Sequence, residues 1–422
     1  MMSISNVSTF RAFKSDNFKY YFAGRSISQF GTWMQRTAII WLIYSLTHST
    51  FMLGVTVFAE QFPSFLFSFA GGVVADRFNR STIIRWTQIA AVVQTSLLAI
   101  LFLTNHIVVW QILALSVVLG IINAFDIPAR QTMISQVVME ENDVPSALSL
   151  SAAMSSVSKV LGPAVAGFVL EHWNVGFCFV LNAIGFMAVI GCFAMMKLPP
   201  YEKRITNKKI VSEFKEGIVY LKNEPRIGLV ILMLCLIGLL VLPYDTLIPE
   251  VAKITFKGGP ATFGYISGFI GLGAISGTIL LASLKRNDNL RFYLILSTAI
   301  LGIGLILFSQ TSSFYWAMLF VVFTGFGSVM QFTSCNIIVQ SEAAPHMKGR
   351  AISILLTAIF GMLPLGSLLT GFASEHIGSS NTLLIQGILA VLIAVCFYRL
   401  FTIPKKNKTS SSEKEEFTNK TI

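Results

Sequence analysis

LGPAVAGFVLEH (Leu161–His172) and LGSLLTGFASEH (Leu365–His376) are two copies of one string, LGxxxxGFxxEH, with six identities in twelve positions at an offset of 365 − 161 = 204 residues. The same offset brings Gln136 onto Gln340, Ala147 onto Ala351 and Ser149 onto Ser353. A repeat at nearly half of a 422-residue chain marks a duplicated half. What surrounds the two copies decides what kind of half it is.

The surroundings are apolar. Of all residues 54% are apolar and 12% charged, and the mean hydropathy is +0.71. A soluble domain carries about 25% charged residues, so this chain cannot cover a soluble surface of its own size with charge. A soluble enzyme, a disordered protein and a collagen-like fibre are excluded on that ground. The net charge of 31 − 20 = +11 reflects membrane topology in such a chain, so no nucleic-acid partner is expected. The five cysteines (Cys178, Cys192, Cys235, Cys335, Cys396) lie in apolar stretches without CxxC or Cys/His spacing and read as small buried hydrophobes. The sequence calls for no metal and no cofactor.

Apolar runs long enough to cross a bilayer core of about 30 Å fall near 18–46, 51–75, 82–104, 107–128, 146–170, 175–197, 227–249, 261–284, 291–310, 313–339, 351–373 and 380–401. They lack the alternation of barrel strands, so the fold class is an all-α membrane protein of twelve transmembrane helices in two pseudo-symmetric six-helix halves. Lys and Arg gather before the first span, between the second and third (Arg77, Arg80, Arg85), in the central loop, at Lys285, Arg286 and Arg291, at Lys348 and Arg350, and after Arg399. The opposite loops hold only Lys253 and Lys257. This asymmetry puts both termini in the cytoplasm of a multi-pass protein of the cell inner or plasma membrane. The N-terminus is a poor signal peptide, since no apolar core begins before Tyr20.

Residues 1–197 form the expected N-terminal half and 227–403 the C-terminal half, joined by a cytoplasmic linker at 198–226. Phe214, Ile218 and Leu221 recur there at helical spacing opposite Lys215 and Lys222, which predicts an amphipathic helix on the inner membrane surface. Residues 404–422 read as a disordered cytoplasmic tail. Two parallel six-helix repeats around a midplane site are the plan of transporters that rock one half against the other.

Several motifs sharpen this. The turn after span 2 reads GGVVADRFNR, with Asp76, Arg77 and Arg80; its counterpart in the second half, Ala282-Ser283-Leu284-Lys285-Arg286, keeps the bases and lacks the acid. Span 5 carries Gly162-Pro163-Ala164-Val165-Ala166-Gly167, where small residues allow close helix packing and proline bends the helix. GTWMQ (31–35), DIPARQ (126–131), EGI (216–218) and GRAIS (349–353) complete the set. Together these resemble the major facilitator superfamily, and within it the drug:H⁺ antiporter-3 branch of enterobactin-exporter-like secretion proteins, over nearly the whole chain. The resemblance implies a proton-motive-force-driven exporter of a small organic molecule. It also implies a gate or latch at Asp76, Arg77, Arg80, Arg130 and Arg350, and a degenerate antiporter helix at Gly162, Pro163 and Gly167, with Ala166 in place of a motif glycine.

Charges within spans are costly, roughly 2.5–3.5 kcal/mol each on insertion scales, so those that persist mark candidate sites. Arg25, Gln29 and Arg36 share one face of span 1. Arg36 and Glu60 lie at matching depth in neighbouring antiparallel spans, which predicts a pair. Lys159 shares a face with Gly162 and Pro163. These residues and Gln331 are the expected lining of a substrate cavity, with Glu60, Asp245 and Asp126 as candidates for proton coupling. Asp126 and Arg130 are expected to join Asp76 and Arg350 in an inner gate. Pro243 and Pro249 should break span 7 beside Asp245.

The expected protein is therefore a monomer in the lipid bilayer, exchanging inward protons for an outward amphiphilic or anionic molecule, siderophore-like or drug-like. Uptake is the alternative, and a scaffold or sensor is a third reading. An enzyme is not expected, because HExxH, GxSxG and a phosphate-binding GxxxxGK[ST] are all missing from the chain.

Overall fold

A computed structural model gives the architecture; it describes residues 8–197, 210–283 and 289–402. Part of the linker (198–209), Leu284, Lys285 and Arg286 of the second turn, and the tail at 404–422 lie outside the described residues.

A short 3₁₀ segment, Ser8–Lys14, leads into α1 (Asp16–Thr47), α2 (Thr50–Arg77), α3 (Arg80–Leu103), α4 (Val109–Val137), α5 (Val144–His172) and α6 (Val175–Met195). After the linker helix α7 (Ile210–Asn223) come α8 (Pro225–Leu240), α9 (Pro260–Ser283), α10 (Leu290–Gln310), α11 (Phe314–Glu342), α12 (Lys348–Ile377) and α13 (Ser379–Thr402). Polar caps set several starts: Ser15, Ser49, Asn79 and Asn174 each accept a backbone N–H from the first turn.

Eleven spans among the described residues are long and apolar enough to cross a membrane. The twelfth long helix is α1, whose 32 residues include Lys19, Arg25 and Arg36. Span 7 is broken as Pro243 and Pro249 require. It passes from α8 through a 3₁₀ turn (Leu242–Leu247) and a helical turn (Ile248–Glu250) into a π turn (Val251–Thr255).

The duplication repeats in the packing. The pairing of α2 with α4 is matched by α9 with α11, α3 with α6 by α10 with α13, and α1 with α5 by α8 with α12. The halves meet through a symmetric pair of contacts, α5 on α9 and α2 on α12. At the end of the bundle away from α1's first turn, the distal face, one apolar core runs through both halves, and Trp41 stacks on Phe263 at 6.2 Å. At the other end, the terminal face, Phe18, Tyr21, Ala129, Met133 and Phe193 form a core of the first half alone. There Leu66 and Phe69 of α2, Leu148 and Val157 of α5 and Ile279 of α9 are exposed. The named backbone contacts between the halves, Gly167 with Gly264 and Gly371 with Gly54, lie toward the distal face, and the space between the halves toward the terminal face is taken as the hollow of the site.

The linker helix is docked on the protein. Gly217 is buried against Ile354 of α12, the Tyr220 hydroxyl accepts the Ala344 N–H at 3.0 Å, and Arg350 pairs with Glu216 at 2.6 Å. Of the residues expected on its two faces, Leu221 packs on the core, while Ile218 and Lys222 are both exposed. The Phe214 and Lys215 side chains lie outside the described residues.

Candidate functional site

The centre of the hollow is organised around Trp33 on α1. The Arg36 guanidinium stands 5.4 Å from its ring centroid and the Lys159 ammonium 6.0 Å, within the range in which a ring face attracts a cation. Arg36 comes from the next turn of α1; Lys159 comes from α5. Gly162, one turn after Lys159, is what lets Trp33 approach, because a Cβ at that position would lie 2.5 Å from Trp33 Cβ. Arg36 Nε is 3.6 Å from Glu60 Oε2 on α2, and both side chains are only partly enclosed, 23% and 18% exposed. The two residues matched by depth in the sequence therefore meet.

The second half contributes Asp245. It sits in the 3₁₀ turn that interrupts span 7, and its carboxylate interacts electrostatically with both Arg36 and Lys159. Asp245 and Lys159 are exposed although they lie midway along their spans, so they face the hollow. The turn is anchored on either side: Tyr244 is hydrogen-bonded to Thr324 and Ser328 of α11, and Glu250 accepts the Ser374 hydroxyl of α12 at 3.1 Å. Two cations thus flank one aromatic ring, Glu60 and Asp245 supply the countercharges, and the four charges balance.

Arg25 does not belong to this group. It stands three turns before Arg36, about 16 Å along the helix axis, and its electrostatic neighbours are Tyr21 of α1 and Arg130 and Asp126 of α4. Asp126 accepts from Thr87 Oγ1 at 2.7 Å, from Gln88 Nε2 at 3.1 Å and from Arg130 Nε. The Arg25 Nε is buried without a hydrogen-bond partner. The basic lining expected of one cavity therefore divides into a central group and a group nearer the terminal face. Gln29 lies between them on α1 and is half-buried.

Two further expectations are corrected. Gln331 does not line the hollow: it is fully buried, because α11 turns this face toward α8, where the Cys335 thiol points at Val230 O. The four-residue inner gate does not assemble here. Asp126 and Arg130 bond each other, Arg350 is taken by Glu216, and Asp76 and Arg77 are exposed, with no ion pair for either among the described residues. Arg80 instead ties the start of α3 to Thr132 O of α4 at 3.3 Å. Asp76, Asp126 and Arg130 all lie in the first half and still do not converge, and Arg350 of the second half is held by the linker helix.

The small residues of span 5 act at two levels. Gly162 admits Trp33, while Pro163 O and Gly167 back onto Gly264 of α9 in the other half. A Cβ at Gly167 would come within 2.9 Å of the Gly264 Cα. The close helix packing expected of this string is an inter-half contact.

The chain matches the transmembrane secretion effector family over residues 7–422. It belongs to that family. It is a multi-pass membrane transporter of the major facilitator superfamily, not an enzyme. It is 25% identical to the staphyloferrin A transporter of Staphylococcus aureus over 391 residues, covering 90% of this chain and 95% of that one. It is 22% identical to macrolide efflux protein A of Streptococcus pyogenes over 390 residues (90% and 96%). It is 24% identical to the putative bacilysin exporter BacE of Bacillus subtilis over 386 (90% and 93%). Its fold is that of the nucleoside transporter NupG, with a TM-score of 0.71 at 14% identity over 92% of this chain and 100% of that one. A bacterial homologue of the lysosomal transporter Spinster in an inward-facing, unoccupied conformation gives 0.71 at 14% identity (91% and 97%).

In this secretion effector the sequence left two features unread. Trp33 appeared only inside the GTWMQ string, and its place between two cations depends on the fold. Gln35 of the same string is the centre of a buried network: it accepts from Asn182 at 2.6 Å and from Thr95 at 2.9 Å, and donates to Gln94 at 3.3 Å. The network joins α1, α3 and α6, so these polar side chains rigidify the first half.

Proposed function

We propose that the protein is a proton-driven secondary transporter that exports a small amphiphilic organic molecule by alternating access across the cell inner or plasma membrane, with both termini in the cytoplasm. The observation that carries this is the charge-balanced group of Arg36, Glu60, Lys159 and Asp245 beside Trp33, drawn from both halves. The relatives' names support it: one is a staphyloferrin A transporter, one a macrolide efflux protein and one a putative bacilysin exporter. In this reading residues 1–197 and 227–403 are the moving halves, 198–226 the tether and 404–422 a cytoplasmic tail. A single copy suffices as the working unit.

The roles follow from charge. Trp33 supplies an apolar face and the four ionic groups a polar one, which suits an amphiphile. A proton on Glu60 or Asp245 leaves a cation unpaired, so the protonated site attracts anions. The deprotonated site holds a neutral, cationic or zwitterionic cargo that can bond the carboxylates. Proton and cargo then exclude each other, and exclusion is the condition for exchange. The same charges favour a second reading for a purely anionic cargo: an anion binds better to the protonated site, travels with the proton and is taken up. Asp126, beside Arg25 and Arg130, stands at the terminal mouth as an intermediate stop for protons.

The test is flux in reconstituted vesicles under an imposed pH gradient, with the cargo class chosen from metabolite profiles of culture medium with and without the gene. Export requires that an inward proton gradient drive cargo outward and that dissipating the gradient abolish it. Cargo moving in the proton's direction would establish the second reading, and flux indifferent to the gradient would refute both.

A further inference from the structure

We infer that Glu171 and Glu375, the duplicated glutamates of LGxxxxGFxxEH, are a symmetric pair of latches that hold the distal seam shut. Glu375 stands at the end of α12 and Glu171 at the end of α5. Each reaches across to the other half and accepts the backbone N–H of the second residue of a helix that begins there. Glu375 Oε2 accepts from Phe51 N of α2 at 3.2 Å, and Glu171 Oε2 accepts from Ala261 N of α9 at 3.3 Å. Neither helix can satisfy these N–H groups internally, and a helix start favours negative charge. The two bonds are related by the same symmetry as the two strings.

The rest of the string serves the same contact. Gly167 backs onto Gly264, and Gly371 onto Thr50 O and Gly54, so the helix ends come close enough for a carboxylate to reach across. His172 and His376 each fold back with Nδ1 2.9 Å from a carbonyl, Phe168 O and Phe372 O, and lie over the same phenylalanine ring. That leaves each glutamate as the outermost group of the string aimed at the opposite half. Four of the six identities (Gly, Phe, Glu, His) are therefore accounted for by one inter-half contact made twice.

The latches differ in strength. Glu375 Oε2 also accepts from Ser49 Oγ at 2.9 Å and Thr50 Oγ1 at 3.1 Å. Glu171 has Ala261 N, with Gly259 so near that a Cβ there would sit 2.6 Å from Glu171 Oε2. Glu375 is the stronger latch, and release of both opens the hollow to the distal face. The inference goes beyond the transport reading and uses neither cargo nor gradient, so its failure and that of proton-driven export are separately visible.

Ser367 provides the reporter, since it is 1% exposed and its backbone lies against Gly54 in the α2–α12 seam. In detergent-purified full-length protein carrying Ser367→Cys, labelling by a hydrophilic maleimide is measured against the same protein without that cysteine. The expected result is slow labelling in the parent and acceleration on the order of tenfold with Glu375→Ala. Glu171→Ala should give a smaller gain and the double variant the largest. Glu171→Gln with Glu375→Gln, which keep the volume and one acceptor, should fall between and serve if the alanine forms do not fold. Parent-like labelling in a monodisperse double variant, alanine or glutamine, overturns the inference.

Discussion

Gly162 and Trp33 compete for one volume: a methyl group on Gly162 would lie 2.5 Å from Trp33 Cβ, and the indole held there is the surface on which Arg36 and Lys159 converge. The neighbour is the root of a side chain, so it cannot swing aside. Gly162→Ala must move α1 relative to α5, an overpacking that costs about 1–3 kcal/mol. Cargo flux should fall by at least tenfold while the protein still purifies as a folded species. Trp33→Leu removes the ring but keeps the Cβ that meets position 162, so it should lower cargo binding in the Gly162 background and leave the yield of Gly162→Ala unrescued.

The Arg36–Glu60 pair makes a different prediction. Each partner neutralises the other in a half-open site 3.6 Å apart, so Arg36→Glu or Glu60→Arg alone leaves two like charges in contact. Flux measurements on both single variants should read near background. The exchanged protein, Glu at 36 with Arg at 60, should recover part of the wild-type rate, and no recovery would mean that the two act separately.

Asp126 and Arg130 bear on stability as well as on flux. Both are buried, and Asp126 is bonded by Arg130, Thr87 and Gln88 at once. Asp126→Ala should cost about 3–5 kcal/mol by stranding the guanidinium, read as a lowered thermal midpoint in detergent. Adding Arg130→Met should return most of that loss.

By contrast, Glu216→Gln removes the partner of Arg350 from an ion pair whose two side chains are 53% and 29% exposed. Such pairs contribute about 1 kcal/mol or less. The thermal midpoint should barely move, and any larger change in flux would mark the linker helix as part of the moving machinery.

How much of this could be read from the residues varies with distance along the chain. The spans were legible because each is a local property: α1 through α6 and α8 through α13 follow the apolar runs, and Pro243 and Pro249 announced the broken seventh span. The Arg36–Glu60 contact was legible because the two helices are consecutive and a depth count suffices. Gln331 was misplaced because a polar residue in an apolar helix does not reveal which face its helix turns inward. Arg25 was grouped with Arg36 by shared face alone, although eleven residues of rise separate them. The inner gate of Asp76, Asp126, Arg130 and Arg350 was misjudged because a charge's motif does not name its partner: Asp126 and Arg130 take each other, and Arg350 takes Glu216. The role of Glu171 and Glu375 was beyond reach for another reason: their partners, Ala261 and Phe51, lie in the opposite half, and nothing local to either glutamate names them.

The seam those glutamates close has a mechanical consequence. Where Gly167 meets Gly264 and Gly371 meets Gly54, backbone rests on backbone. Smooth surfaces of this kind slide and part without any rotamer having to unlock, so friction at these two points is low. Resistance comes instead from the rings that flank them, Trp41 on Phe263 and Phe51 on Phe372, and from the carboxylates at the rim, which can be adjusted by exchanging two side chains.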